Sequence, residues 1–277
     1  MSEEPEIPEV DSAVIVGDIH IGWEKSNLEE FKDFLSTRIY TLEPDVFIIN
    51  GDLLELWRSS YSKVMVEFSD VFTLISEVHE SGIDVIPLVG NHDWRMIETS
   101  REIVTKPDSL WNFREQYPFD CGGEEFIASH GHEADSLNRG RTQNTLFCLT
   151  TEDVGEKMAD TWENIVDRPI LGSVMDREPL VPPFTRVAAS KDGPLLNRPS
   201  LRAFTHINNP DILSEDESEG RYERIVKIHS RLYDRTVIGA HTHIQEEREN
   251  YYNPGSWTTG SSGYVHIEDG NVDIENY

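Results

Sequence analysis

Five short apolar runs, each stopping on polar residues that can hold a metal ion, constrain this chain more than any other feature. They are "SAVIVGDIH" (12–20), "DVFIINGD" (45–52), "IDVIPLVGNHD" (83–93), "EEFIASHGH" (124–132) and "TVIGAHTH" (236–243). An unbroken apolar run of this length reads as a strand covered on both faces. Helical patterns separate the first three. After the first run, Asn27 is placed to cap a helix, Glu30 completes a capping box, and Leu28, Phe31, Leu35 and Ile39 share one face. After the second, Val64, Phe68, Val71, Phe72, Ile75 and Val78 recur at helical spacing, with Gly82 at the C-terminal cap position. This order predicts a βαβαβ unit and a mainly parallel sheet of the α/β class.

Ligands of an open α/β sheet bind beyond the carboxyl ends of its strands, where the loops converge on one rim. Asp18, His20, Asp52, Asn91, His92, His130, His241 and His243 are therefore expected to meet. Any one of them alone reads as a polar strand end or a satisfied histidine; recurrence at successive strand ends argues for metal. The donors are oxygen and nitrogen with no thiolate, which suits manganese, with iron, zinc, nickel or cobalt as alternatives. Seven ligands (Asp18, His20, Asp52, Asn91, His130, His241 and His243) are too many for one tetrahedral ion, so two divalent cations sharing a carboxylate are expected. Asp52, directly after Gly51, is the natural bridge. Asp18 with His20, and His241 with His243, stand at one-residue spacing on strand ends and so project to the same side, and each pair is expected to bind one cation as a unit. Two such cations remain net positive after two carboxylates and a hydroxide. Metals about 3.5–4 Å apart suit in-line displacement at phosphorus by metal-bound hydroxide. His92, beside Asn91, is placed to protonate the leaving oxygen.

The rest of the chain reads as decoration of a single domain, 1–277. Residues 135–235 break the strand pattern and are expected to form a helical and irregular cap. They carry an apolar stripe (Val154, Met158, Trp162, Ile165) and an acidic turn from Ser214 to Gly220. Arg139 and Arg141 follow the fourth run and are candidates to grip phosphate bidentately, the alternative being pairing with surplus acid. The "NPGSW" turn (253–257) is expected to pack beneath the site, and Asp269-Gly270 signals a terminal hairpin. No internal repeat is visible.

Charge and cysteine narrow the setting. The net charge of −28 comes from 52 acidic against 24 basic residues, only 7 of them Lys, spread along the whole chain. One reading is an acidic surface that disfavours nucleic acid and membranes, or that meets a basic partner. The favoured one is adaptation to concentrated salt, where the Debye length falls to ~3 Å and self-repulsion is screened. Cys121 and Cys148 are too few and too far apart for a disulfide framework or a CxxC motif. No apolar run is long enough to span a membrane, and the first residues are acidic and Pro-containing, so a cytoplasmic protein is expected.

In this order, "GDIH", "NGDLLELW", "GNHD", "SHGH" and "GAHTH" resemble the five-motif signature of calcineurin-like metallophosphoesterases. "NGDLLELW", "HGHEAD", "GAHTH" and "YYNPGSW" further resemble the branch containing UDP-2,3-diacylglucosamine pyrophosphatases. The likeness covers roughly residues 12–135 and 235–270. It implies a four-layer αββα sandwich, with Asp18, His20, Asp52 and His243 on one metal and Asp52, Asn91, His130 and His241 on the other. It also implies that His92 is the catalytic histidine, and that Glu55 occupies an acidic position which orients it in some relatives. That branch carries arginine where this chain has His92, so the branch likeness bears on fold and cap rather than substrate. The expected function is hydrolysis of a small phosphoester or pyrophosphate. The alternatives are a nuclease, although no basic strip with interleaved aromatics is visible, and a non-catalytic scaffold on the same fold.

Overall fold

The computed structural model describes residues 7–103, 109–135, 144–145, 148–149, 151 and 221–277. The five apolar runs supply five strands, divided between two sheets. β2 (Ser12–Val16), β3 (Val46–Asn50) and β4 (Asp84–Leu88) pair in parallel, as the βαβαβ reading requires. β10 (Gly263–Glu268) adds antiparallel to β2, and β11 (Asn271–Asn276) to β10, closing a five-stranded sheet. The fourth and fifth runs, β6 (Glu124–Ser129) and β7 (Thr236–Ile238), lie instead in a second sheet. Its other strands are β1 (Glu9–Val10), β5 (Gln116–Cys121), β8 (Gln245–Arg248) and β9 (Tyr251–Pro254), in the order β1-β5-β6-β7-β9-β8. The single rim expected from the sequence is therefore two facing rims.

Alternation along the strands decides the layering. Ala13, Ile15, Val46, Ile48, Ile86 and Leu88 point from the five-stranded sheet into a core shared with Tyr117, Phe119, Phe126, Ala128 and Ile238 of the other. Their neighbours Val14, Val16, Phe47 and Ile49 face the opposite way, onto helices. Those helices are α1 (Leu28–Asp33), continued by a π-helical turn (Phe34–Arg38) into α2 (Ile39–Leu42), then α3 (Tyr61–Glu67) and α4 (Ser69–Glu80). The short α5 (Met96–Ile103) follows β4. On the far side, Val226 of α6 (Arg221–His229) packs with Ile127, Val237 and Tyr251. The result is the αββα sandwich. α6 falls inside the stretch assigned to the cap, yet it forms part of the fourth layer. The stripe from Val154 to Ile165, the acidic turn 214–220, Arg139 and Arg141 lie outside the described residues.

Local signals held where no distant group competed. Gly82 has φ +105° and its N–H donates to the His79 carbonyl at 3.1 Å, terminating α4. Asp269 and Gly270, with φ of +49° and +78°, make the left-handed pair of a two-residue hairpin. The capping box does not form. Asn27 Nδ2 donates instead to the Ser261 carbonyl at 2.8 Å, and the Glu30 carboxylate accepts from the Ser262 hydroxyl. The single helix read through Phe68 breaks there, at φ −115° and ψ 27°, although its apolar stripe stays buried on both sides of the break. Cys121 and Cys148 are both free and buried. Among the described residues no helix is long and apolar enough to cross a membrane.

The outer helix α6 delivers a buried histidine behind the site. His229 Nε2 meets the Ser129 hydroxyl at 2.7 Å, and its ring sits edge-on to Tyr251 at 5.5 Å. Burial pushes its pKa down from 6.5 to about 4. Between those values the unfolded chain takes up a proton that the folded chain refuses, so stability is lost as pH falls from about 6.5 towards 4 and is unaffected above that window. We expect His229→Gln, which keeps a partner for Ser129, to lose less stability than the wild type between pH 7 and pH 5. The difference should be at most about 2 kcal/mol, read from urea melts.

Candidate metal centre

The chain leaves its strands through left-handed residues at the site. Among the described residues eight non-glycine residues have positive φ, and five of them are Asp18 (+53°), His20 (+54°), Asp52 (+50°), His241 (+69°) and His243 (+58°). Each such conformation costs about 1–2 kcal/mol for an L-residue and persists only where surrounding contacts over-determine it. This overturns the expectation that strand periodicity aims these side chains. Asp18 and His20 do group together, but His241 and His243 part company. Asp18, His20 and His243 form one cluster of mutually close donor atoms, and Asp52, His130 and His241 another.

Two carboxylate oxygens lie at the middle. Asp18 Oδ1 is 3.3 Å from His243 Nε2, 3.7 Å from His20 Nε2 and 3.9 Å from His130 Nε2. Asp52 Oδ2 is 3.2 Å from His130 Nε2 and 3.9 Å from His20 Nε2, so it reaches both clusters. The second oxygen of each aspartate is held by a backbone N–H across the centre: His241 donates to Asp18 Oδ2 and His92 to Asp52 Oδ1, both at 2.8 Å. Trp257, fully buried in the "NPGSW" turn, donates its backbone N–H to the Asp18 carbonyl at 3.1 Å. Burial opposes the ionisation of both aspartates, but imidazoles outweigh it: His243, His20 and His130 around Asp18, and His130, His92 and His20 around Asp52, hold both carboxyls well below the usual range.

These residues fit divalent cations. Asp18 Oδ1, Asn91 Oδ1 and His130 Nε2 are buried and make no hydrogen bond within the protein, as expected of donor atoms kept for a cation. His20 Nε2 and His243 Nε2 face each other at 3.1 Å, as two lone pairs converging on one ion would.

Other groups hold these donors in place. Glu55, buried one residue beyond Leu54, spans two histidines: Oε2 meets His20 Nδ1 at 2.8 Å and Oε1 meets His92 Nδ1 at 2.7 Å. Burial works against its charge, yet His92 and His20 hold its pKa down to about 2. Three further residues escaped the sequence reading. Trp57 stacks on His92 with centroids 4.0 Å apart, and its indole N–H donates to the Asn91 carbonyl at 3.0 Å. Asp135, buried, meets His241 Nε2 at 3.0 Å. Asp93 accepts from the N–H groups of Gly90 at 2.7 Å and Leu54 at 3.2 Å, tying the second and third loops together. Burial and the charge of Asp52 push its pKa up to about 7. Asp93 and Asp135 sit inside the quoted motifs "GNHD" and "HGHEAD", which was the only signal available for them. His132 is buried in a short 3-10 turn (His132–Ala134), its ring edge-on to Trp94 at 5.3 Å.

The family model for calcineurin-like phosphoesterases matches residues 12–245. No curated protein matches. Among 55 matching chains of solved structures, one crystal structure aligns over 97% of this chain and 99% of its own. Its identity is 14% and its TM-score 0.39.

Gly51 separates steric from conformational cost. It has φ +83°, and a Cβ there would lie 2.5 Å from His130 Nδ1; Gly82 has φ +105° with nothing within 4 Å. Gly82→Ala should cost about 1–2 kcal/mol from backbone strain alone. Gly51→Ala should cost about 1–3 kcal/mol more, because the buried imidazole must move. Urea midpoints at unchanged slope measure both.

Proposed function

Because the chain belongs to the calcineurin-like phosphoesterase family, a family of phosphoric ester hydrolases, we propose that it cleaves a small phosphoester or diphosphate at a centre of two divalent cations. Asp18, His20, Asp52 and His243 would hold one cation, and Asp52, Asn91, His130 and His241 the other. Manganese suits this oxygen and nitrogen set. The observation that carries the reading is the placement of Asp18 Oδ1 and Asp52 Oδ2 among the Nε2 atoms of His20, His130 and His243, at 3.2–3.9 Å. When bound, the cations supply Lewis acidity toward phosphoryl oxygens and activate water at neutral pH.

The chain's own groups then divide the remaining work. Glu55 occupies Nδ1 of His92 and Trp57 fixes the plane of its ring, which leaves Nε2 to carry a proton to the leaving oxygen. The same carboxylate occupies Nδ1 of His20, so that Nε2 presents its lone pair to the cation. His243 is the most open of these side chains, 34% exposed beside 17% for His92, so substrate would enter over these two. The lipid-linked substrate of the UDP-2,3-diacylglucosamine branch is not adopted, since His92 stands where that branch carries arginine. Adaptation to concentrated salt, as the scarcity of Lys suggests, would keep the centre accessible to anions despite a net charge of −28.

Chelator-stripped protein given manganese should release p-nitrophenol from p-nitrophenyl phosphate, assayed at both low and molar salt. His92→Ala and Asp52→Asn should each lower kcat by about 10²–10⁴-fold; full activity in Asp52→Asn would refute the shared carboxylate. Asp135→Asn should weaken one of two manganese equivalents by about 10–100-fold, as read by metal titration and elemental analysis. Wild-type protein that retains no stoichiometric metal would instead favour a scaffold.

A further inference from the structure

The stretch after the fourth motif touches the candidate proton carrier. Its described residues Asn144, Thr145, Cys148, Leu149 and Thr151 are helical, and Asn144, Cys148 and Thr151, at i, i+4 and i+7, share one face. All three are buried, while Leu149 is 40% exposed. Packing alone would favour the reverse, with leucine inward and the small polar residues outward. Polar groups turned inward need partners, and two of these find a pair of residues that already touch. The Thr151 hydroxyl donates to the Trp57 carbonyl at 2.8 Å, and Cys148 Sγ donates to the His92 carbonyl at 3.3 Å. Burial pushes the Cys148 thiol well above its usual range, so it stays a donor.

Trp57 and His92 are joined through their side chains as well. Their rings stack with centroids 4.0 Å apart and planes 23° from parallel, and the Trp57 indole N–H donates to the Asn91 carbonyl at 3.0 Å. Glu55 Oε1 meets His92 Nδ1 at 2.7 Å. Two loops that are remote in sequence are therefore clamped twice, by an indole and a carboxylate through their side chains and by one helix face through their carbonyls. Trp57 lies in a turn, so the place of its ring follows the place of its backbone.

We propose that Thr151 and Cys148 are positioning residues for proton delivery: by holding the carbonyls of Trp57 and His92 they keep the two rings against each other, with His92 Nε2 directed at the leaving oxygen. This rests on the phosphohydrolase reading and deepens it, because it gives the stretch after the fourth motif a part in leaving-group departure. A displacement of about 1 Å in such a group can lower a rate by roughly 10²-fold.

The test compares phenyl phosphate with p-nitrophenyl phosphate in manganese-supplemented protein. Phenolate is the stronger base, so its departure depends more on a proton from His92. Thr151→Val, which keeps the shape and removes the hydroxyl, should lower kcat for phenyl phosphate by roughly 10-fold more than for p-nitrophenyl phosphate, with KM for both nearly unchanged. Thr151→Ser keeps the donor and should hold the ratio of the two kcat values near that of the wild type. In a His92→Ala background, Thr151→Val should lower kcat no further. Equal losses on both substrates, no loss, or an undiminished loss without His92 each overturn the inference. Should Thr151→Val fail to fold, Cys148→Ala decides: a shift of the ratio in the same direction supports the clamp, and an unchanged ratio overturns it. If the wild type cleaves neither compound, the hydrolase reading fails separately. The ring-proton NMR shifts of His92, displaced by the stacked indole, then decide: movement toward unstacked values in Thr151→Val but not in Thr151→Ser supports the clamp, and unchanged shifts overturn it.

Discussion

Two carboxylates buried within reach of the same imidazoles are the constraint on which this structure depends. Asp18 and Asp52 are almost completely shielded from water. Burying one unpaired carboxylate costs several kcal/mol, and two close together repel. The fold tolerates them because each has one oxygen on a backbone N–H from another loop, while the other faces histidine nitrogen. Those cross-links also explain why five site residues can stay in left-handed conformations: each loop is tied to a different strand end, so none can relax alone.

The sheet sandwich makes this closure feasible. β2, β3 and β4 bring Asp18, Asp52 and Asn91 to one edge, and β6 and β7 bring His130, His241 and His243 to the facing edge. The inner faces must be apolar for the edges to approach, and Ile15, Ile48, Phe119, Phe126 and Ile238 fill that layer. Asn50 rivets the two sheets just beneath the centre, its Nδ2 donating to the Ser129 and Ile238 carbonyls at 3.2 and 2.9 Å. Glu55 then couples a candidate ligand, His20, to the candidate proton carrier, His92, through one carboxylate. The stretch after the fourth motif touches the same place: Cys148 Sγ donates to the His92 carbonyl at 3.3 Å, and the Thr151 hydroxyl to the Trp57 carbonyl at 2.8 Å.

Particular elements mark how far the sequence could be read. The apolar runs announced strands covered on both faces, because a residue's burial on a strand depends mainly on its own hydrophobicity. Gly82 and Asp269-Gly270 announced their turns, because positive φ is a local demand. Asn27 misled, because a cap is a competition for hydrogen bonds and Ser261, remote in sequence, won the Asn27 amide. The break at Phe68 had no local cause that periodicity could register. Trp57, Asp93 and Asp135 were passed over because each acts through a partner distant in the chain: His92, Leu54 and His241 respectively.

By itself, then, the chain's order of residues determined which side chains are chemically able to bind metal and that strands would deliver them, since both follow from composition and short-range pattern. Residue pattern alone gave neither the partition between two sheets nor the separation of His241 from His243, both of which the family resemblance implied, and the Asp135 carboxylate behind His241 emerged only in the tertiary structure. Those outcomes depend on left-handed turns and on contacts between loops more than a hundred residues apart. No local periodicity encodes such contacts.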